Sequence, residues 1–145
     1  MDVDRSGYTD IILISASTFT DKDGEGRVYV CSLTHGVSAF NILSSNVVYT
    51  FDLWFENSHN SHSCFLHSHQ RADCLSDRQL VLKGVAGERG RFGSSLAPLP
   101  DLNSDGFNDL AVGAPLENNG QGSIYIFHGD GRKTINPMYS QVCES

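Results

Sequence analysis

Apolar residues along this chain fall in short bursts instead of at helical spacing. Ile11 to Ser15 (IILIS) and Leu110 to Ala114 (LAVGA) are near-continuous apolar runs, which suits strands buried on both faces. Each is followed by a segment of clean alternation, Gly26 to Val30 (GRVYV) and Gly122 to Phe127 (GSIYIF), the period-two pattern of a half-buried strand. Clusters of Gly, Asp, Asn and Ser separate these runs, and no stretch carries a convincing helical pattern. Arg91 to Ala97 (RFGSSLA) reads as the strand that opens a new unit, and Gln79 to Leu82 as the strand that closes the previous one. The expected fold is therefore all-β. Its units of four short antiparallel strands are blades of the kind that repeat around a β-propeller, and the chain holds pieces of two.

Ahead of each apolar run stands the same polar loop. Asp101 to Pro115 reads DLNSDGFNDLAVGAP and Asp2 to Ser17 reads DVDRSGYTDIILISAS, with oxygen-bearing side chains at relative positions one, three, five and nine. Calcium takes six to eight hard oxygen ligands, and alternate positions of a tight loop can present them together. The second loop offers Asp101, Asn103, Asp105, the backbone carbonyl of Phe107, and Asp109; the first offers Asp2, Asp4, Ser6, the carbonyl of Tyr8, and Asp10. Gly106 and Gly7 stand at position six, where the chain must bend sharply. An EF-hand would need a bidentate Glu at position twelve and flanking helices, whereas Val112 and Leu13 stand there, inside expected strands. The bland alternative is an acidic turn, since Asp, Asn and Gly favour turns for their own reasons. The recurrence of loop and strand together favours calcium. Ser6, uncharged, should make the first site the weaker.

Composition narrows the function. The 145 residues carry a net charge of −7, with 39% hydrophobic and 19% charged residues, which fits neither a disordered chain nor a nucleic-acid binder. No apolar run approaches the roughly 18 to 20 residues of a membrane helix. Cys31, Cys64, Cys74 and Cys143 match no recognisable disulfide framework. Nucleophile elbow and phosphate-cradling glycine loop are both missing, so an enzyme is not expected.

Phe92-Gly93, the loop from Asp101 to Asp109, and Gly113-Ala114-Pro115 together resemble the FG-GAP repeat of integrin alpha subunits. The likeness extends through GRVYV, RFGSSLA and GAPLENNGQGSIYIFHG, about two thirds of the chain; the first unit departs from it, with Ser15-Ala16-Ser17 in place of Gly-Ala-Pro. The resemblance implies the extracellular head of a single-pass plasma-membrane receptor, a calcium-bearing propeller that pairs with an integrin beta subunit. The wording around Leu116-Glu117-Asn118 and Tyr139-Ser140-Gln141 is most similar to the collagen-binding, I-domain-containing type. Extracellular matrix would then be bound by parts of the parent protein outside this chain. The competing class is an FG-GAP accessory propeller of a secreted enzyme such as a phospholipase.

The two loops begin 99 positions apart, against roughly 40 to 50 residues for a four-stranded blade. The surplus is Val37 to Gln70, which lacks strand-and-turn punctuation and reads as a translated intron: Val-Ser is what the splice-donor sequence GTGAGT encodes, and removing these 34 positions leaves 65. The expected organisation is a partial blade with a calcium loop over 1–36, the insertion over 37–70, the end of that blade and most of the next over 71–141, and a tail over 142–145. His59, His62, Cys64, His67, His69 and Cys74 crowd together without paired zinc-ligand spacing, so no zinc site is expected. The glycine period at Gly84, Gly87, Gly90 and Gly93 is too short for collagen and reads as chance.

Overall fold

The computed structural model describes residues 1–22, 24–32 and 80–144. The proposed insertion at 37–70 and the His and Cys cluster from His59 to Cys74 lie outside the described residues. The first sheet is antiparallel, β1 (Ile11–Asp21), β2 (Gly24–Ser32) and β3 (Leu80–Leu82), in that spatial order. The second holds four strands, β4 (Ser95–Leu99), β5 (Asp109–Ala114), β6 (Ser123–Phe127) and, after a short hairpin, β9 (Gln141–Glu144), again in chain order. That hairpin pairs β7 (Gly129–Asp130) with β8 (Thr134–Ile135). The expected all-β fold in antiparallel blade-like sheets is what forms. Among the described residues the one helix, α1 (Glu117–Gly120), is a single turn whose Asn118 and Asn119 have left-handed backbones.

Equivalent strands differ in length for a local reason. The 99-residue offset sets Ile14-Ser15-Ala16 opposite Gly113-Ala114-Pro115, one residue earlier than the Ser15-Ala16-Ser17 match suggested by sequence. β5 ends at Ala114 because Pro115 has no N–H for the ladder. β1 has Ala16 there and runs on to Asp21, with a register irregularity between Ala16 and Thr20.

Two boundaries also depart from expectation. Arg91 to Ala97 is not strand throughout: Arg91 and Gly93 adopt φ of 54° and 90°, Ser94 N–H closes a turn on the Arg91 carbonyl at 3.1 Å, and pairing starts at Ser95. Positive φ is incompatible with an extended strand, so Phe92 sits on a turn. At the other end, β9 carries Gln141 to Glu144 against β6, so the sheet continues past residue 141.

One apolar core joins the two sheets. Val28, Val30 and Leu82 from the first meet Leu110, Val112, Tyr125 and Phe127 from the second, with Phe92 fully buried among them. Main-chain bonds cross the same seam, from Glu25 N–H to the Glu88 carbonyl at 3.0 Å and from Asn108 N–H to the Val3 carbonyl at 2.8 Å.

Candidate metal centres

The two polar loops share one hydrogen-bond framework at positions one and three. In the first, Asp2 Oδ1 accepts from Ser6 N–H at 3.2 Å and Oδ2 from Gly7 N–H at 2.8 Å. In the second, Asp101 Oδ1 accepts from Asp105 N–H at 3.1 Å and Oδ2 from Gly106 N–H at 2.8 Å. Position three repeats the correspondence, with Asp4 Oδ1 accepting from Ser6 N–H at 3.1 Å and Asn103 Oδ1 from Asp105 N–H at 3.3 Å. Backbone conformation matches too: Arg5 and Ser104 both have φ of 62°, followed by Gly7 at 86° and Gly106 at 94°. Two left-handed positions separated by one residue curl the chain so that position-one oxygens face the loop's own amides.

Position nine anchors each loop from below. Asp10 and Asp109 are buried. Asp10 Oδ2 accepts from Val3 N–H at 2.8 Å and Asp4 N–H at 3.2 Å; Asp109 Oδ2 accepts from Leu102 N–H at 2.8 Å and Oδ1 from Gly129 N–H at 3.0 Å. The last bond comes from β7, a donor that local sequence does not announce. His128 Nδ1 stands 3.2 Å from Asp109 Oδ2 without the alignment of a hydrogen bond.

The loops lie side by side. Asn108 Nδ2 donates to the Asp2 carbonyl at 2.9 Å, and Gly129 is wedged where a Cβ would strike the Asn108 carbonyl, Phe107 and Val3 together. Phe107 is half-buried with its ring near Gly131, whereas Tyr8, its counterpart, is exposed.

Electrostatically the pair is unequal. Asp2, Asp4 and Asp10 bring carboxylate oxygens within 4.8 Å of one another, and among the described residues no other trio of His, Cys, Asp or Glu does so. Lys133, beside β8, places its Nζ 2.6 Å from Asp4 Oδ2 and 3.5 Å from Asp10 Oδ1. The hydrogen bond from Lys133, aided by Ser6, holds the Asp4 carboxyl well below the usual carboxylate range, and the same bond raises the Lys133 ammonium. In the second loop desolvation works against the Asp101 charge, but amide bonds from Gly106, Asp105 and Ser104 outweigh it and hold that carboxyl low. Oxygen donors of this kind fit a hard cation such as calcium and would not select zinc.

Residues 92–127, which run from the Phe92 turn through the second loop to the end of β6, match the FG-GAP repeat model. FG-GAP repeats form β-propeller blades, and the two sheets are pieces of such blades. Over 144 residues, 97% of this chain, it is 33% identical to integrin alpha-2 of Mus musculus; it is 34% identical to human integrin alpha-11 over 89% and 32% identical to human integrin alpha-D over 97%. The chain belongs to the integrin alpha family, whose members are not enzymes. It spans 8% to 9% of the length of these relatives.

Proposed function

We propose that this chain serves as part of the extracellular propeller of an integrin alpha subunit, a cell-adhesion receptor, with calcium holding its blades. The observation that carries the reading is the matched hydrogen-bond framework of the two loops, repeated at equivalent positions ahead of equivalent strands. Asp101, Asn103, Asp105 and Asp109 with the Phe107 carbonyl would hold one ion. Asp2, Asp4, Ser6 and Asp10 with the Tyr8 carbonyl would hold the other. Calcium would neutralise clustered carboxylates and fix each loop to the strand that follows it. The propeller so stiffened would present a face to an integrin beta subunit, and the parent receptor would bind extracellular matrix, collagen in particular, through parts outside this chain.

Calorimetric titration of the full chain with calcium, after chelator treatment, tests the reading. Saturable binding in the range of extracellular modules, about 0.1–1 mM or tighter, is expected. Asp101→Ala with Asp105→Ala should remove one of two sites. Silence up to several times that concentration would rule out calcium-bearing loops.

A further inference from the structure

We propose that Lys133 is a resident counter-cation of the first loop: its ammonium sits on the Asp4 and Asp10 carboxylates and must be displaced before a divalent cation enters, so the second loop loads first. The inference rests on reading the loops as calcium sites and goes beyond it, because it concerns a residue that belongs to neither loop.

The geometry is specific. Two of the three carboxylates that converge in the first loop are those nearest Lys133 Nζ, at 2.6 Å for Asp4 and 3.5 Å for Asp10. The ammonium is a compact point charge with several donors, suited to bridging two acids. It is delivered by a turn whose shape is fixed independently. Lys133 has φ of 60°, its N–H bonds to the Asp130 carbonyl at 3.0 Å, and Asp130 also takes the Arg132 guanidinium at 2.9 Å. Arg132 is thereby held on its own turn, out in solvent, and Lys133 is the residue turned onto the loop.

Among the described residues the second loop has no equivalent. Arg5 Nη1 comes no nearer than 3.9 Å to Asp101 Oδ2 and is largely exposed, so it screens weakly and can swing away. Two like charges cannot share one set of carboxylate oxygens at contact distance without strong repulsion. Calcium at the first loop therefore has to expel an ammonium tethered at high effective concentration. In return the loop is held together when calcium is scarce.

The test is calcium titration of the full chain and of Lys133→Met, each also in a background of Asp101→Ala with Asp105→Ala so that the first loop is read alone. Removing the ammonium should tighten the first site about tenfold and leave the second unchanged. Thermal midpoints give an independent reading: Lys133→Met should lie below wild type in chelator yet gain more on adding calcium. Lys133→Gln should repeat both effects if the Met variant folds poorly, and Lys133→Arg should retain a weak first site. A residue that merely fastens the hairpin would lower the midpoint equally with and without calcium and leave the first dissociation constant unchanged; that result overturns the proposal. Absence of calcium binding at both loops, in wild type and variants alike, would overturn the calcium reading itself.

Discussion

Tyr125 and Glu117 form a buried polar pair. Glu117 is 3% exposed, the Tyr125 hydroxyl donates to its Oε2, and that hydroxyl accepts from Val85 N–H at 3.0 Å. Burial and then the Glu117 hydrogen bond push the Tyr125 phenol up. A group raised on folding contributes stability that is fully present below its unfolded value, about 10 for tyrosine, and is lost as pH climbs through the folded value. Tyr125→Phe should therefore cost about 1–3 kcal/mol at neutral pH, by depriving a buried carboxylate of its donor. It should also flatten the alkaline limb of a stability–pH profile measured by urea unfolding; an unchanged alkaline slope would place the titrating group elsewhere. This pair also accounts for two glycines of the run that reads as chance in the sequence. A Cβ at Gly84 or Gly90 would collide with the Glu117 side chain, and one at Gly93 with Ser15 and Val28. Gly87 differs, since a Cβ there would meet nothing within 4 Å and its φ of 88° is what favours glycine, so the four positions share no single cause and no periodic rule links them.

At the scale of elements, the polar loops and the strands after them were legible because their signal is local. Alternating oxygens, a glycine at position six and an apolar run lie within consecutive residues, and the backbone obeys them. The glycine requirement can be isolated experimentally. Gly106 has φ of 94°, and a Cβ there would meet nothing within 4 Å, so substitution is opposed by backbone conformation alone. Gly106→Ala should lower stability by about 1–2 kcal/mol, and Gly106→Asn by less, since asparagine tolerates left-handed geometry. Equal losses for Ala and Asn, read by thermal unfolding in chelator, would indicate that something other than φ governs the position. What sequence concealed is the contribution of the β7–β8 hairpin. Gly129 N–H on Asp109 and Lys133 on Asp4 come from residues whose own neighbourhood reads as an ordinary turn. The strand expected over Arg91 to Ala97 failed for a related reason: its position ahead of the loop suggests a strand whether or not its first residues take positive φ.

For the molecule as a whole, the decisive contact is Phe92, whose place between two sheets could not be read from its own segment. Its ring meets Tyr125 edge-on at 5.2 Å between centroids and Phe127 at 6.1 Å, both from the second sheet. Its backbone presses on Gly26 of the first sheet so closely that no Cβ could be accommodated there. Ser15 Oγ, on β1, donates to the carbonyl of the adjacent Gly93, and Gly93 N–H donates to the Gly113 carbonyl of β5 at 3.0 Å. The Phe92–Gly93 turn thus touches both sheets with side chain and main chain alike, which makes it a plug and not a strand end. Phe92→Ala should cost about 3–5 kcal/mol, because a buried aromatic leaves a cavity that relaxed neighbours only partly refill. The loss should fall on both sheets together. Hydrogen exchange at Val28 and Val30 in β2 and at Val112 and Tyr125 in the second sheet should accelerate by comparable factors, as expected of one cooperative core. Acceleration confined to the second sheet would mean that the blades are separately stable and that the Phe92 turn only lies between them.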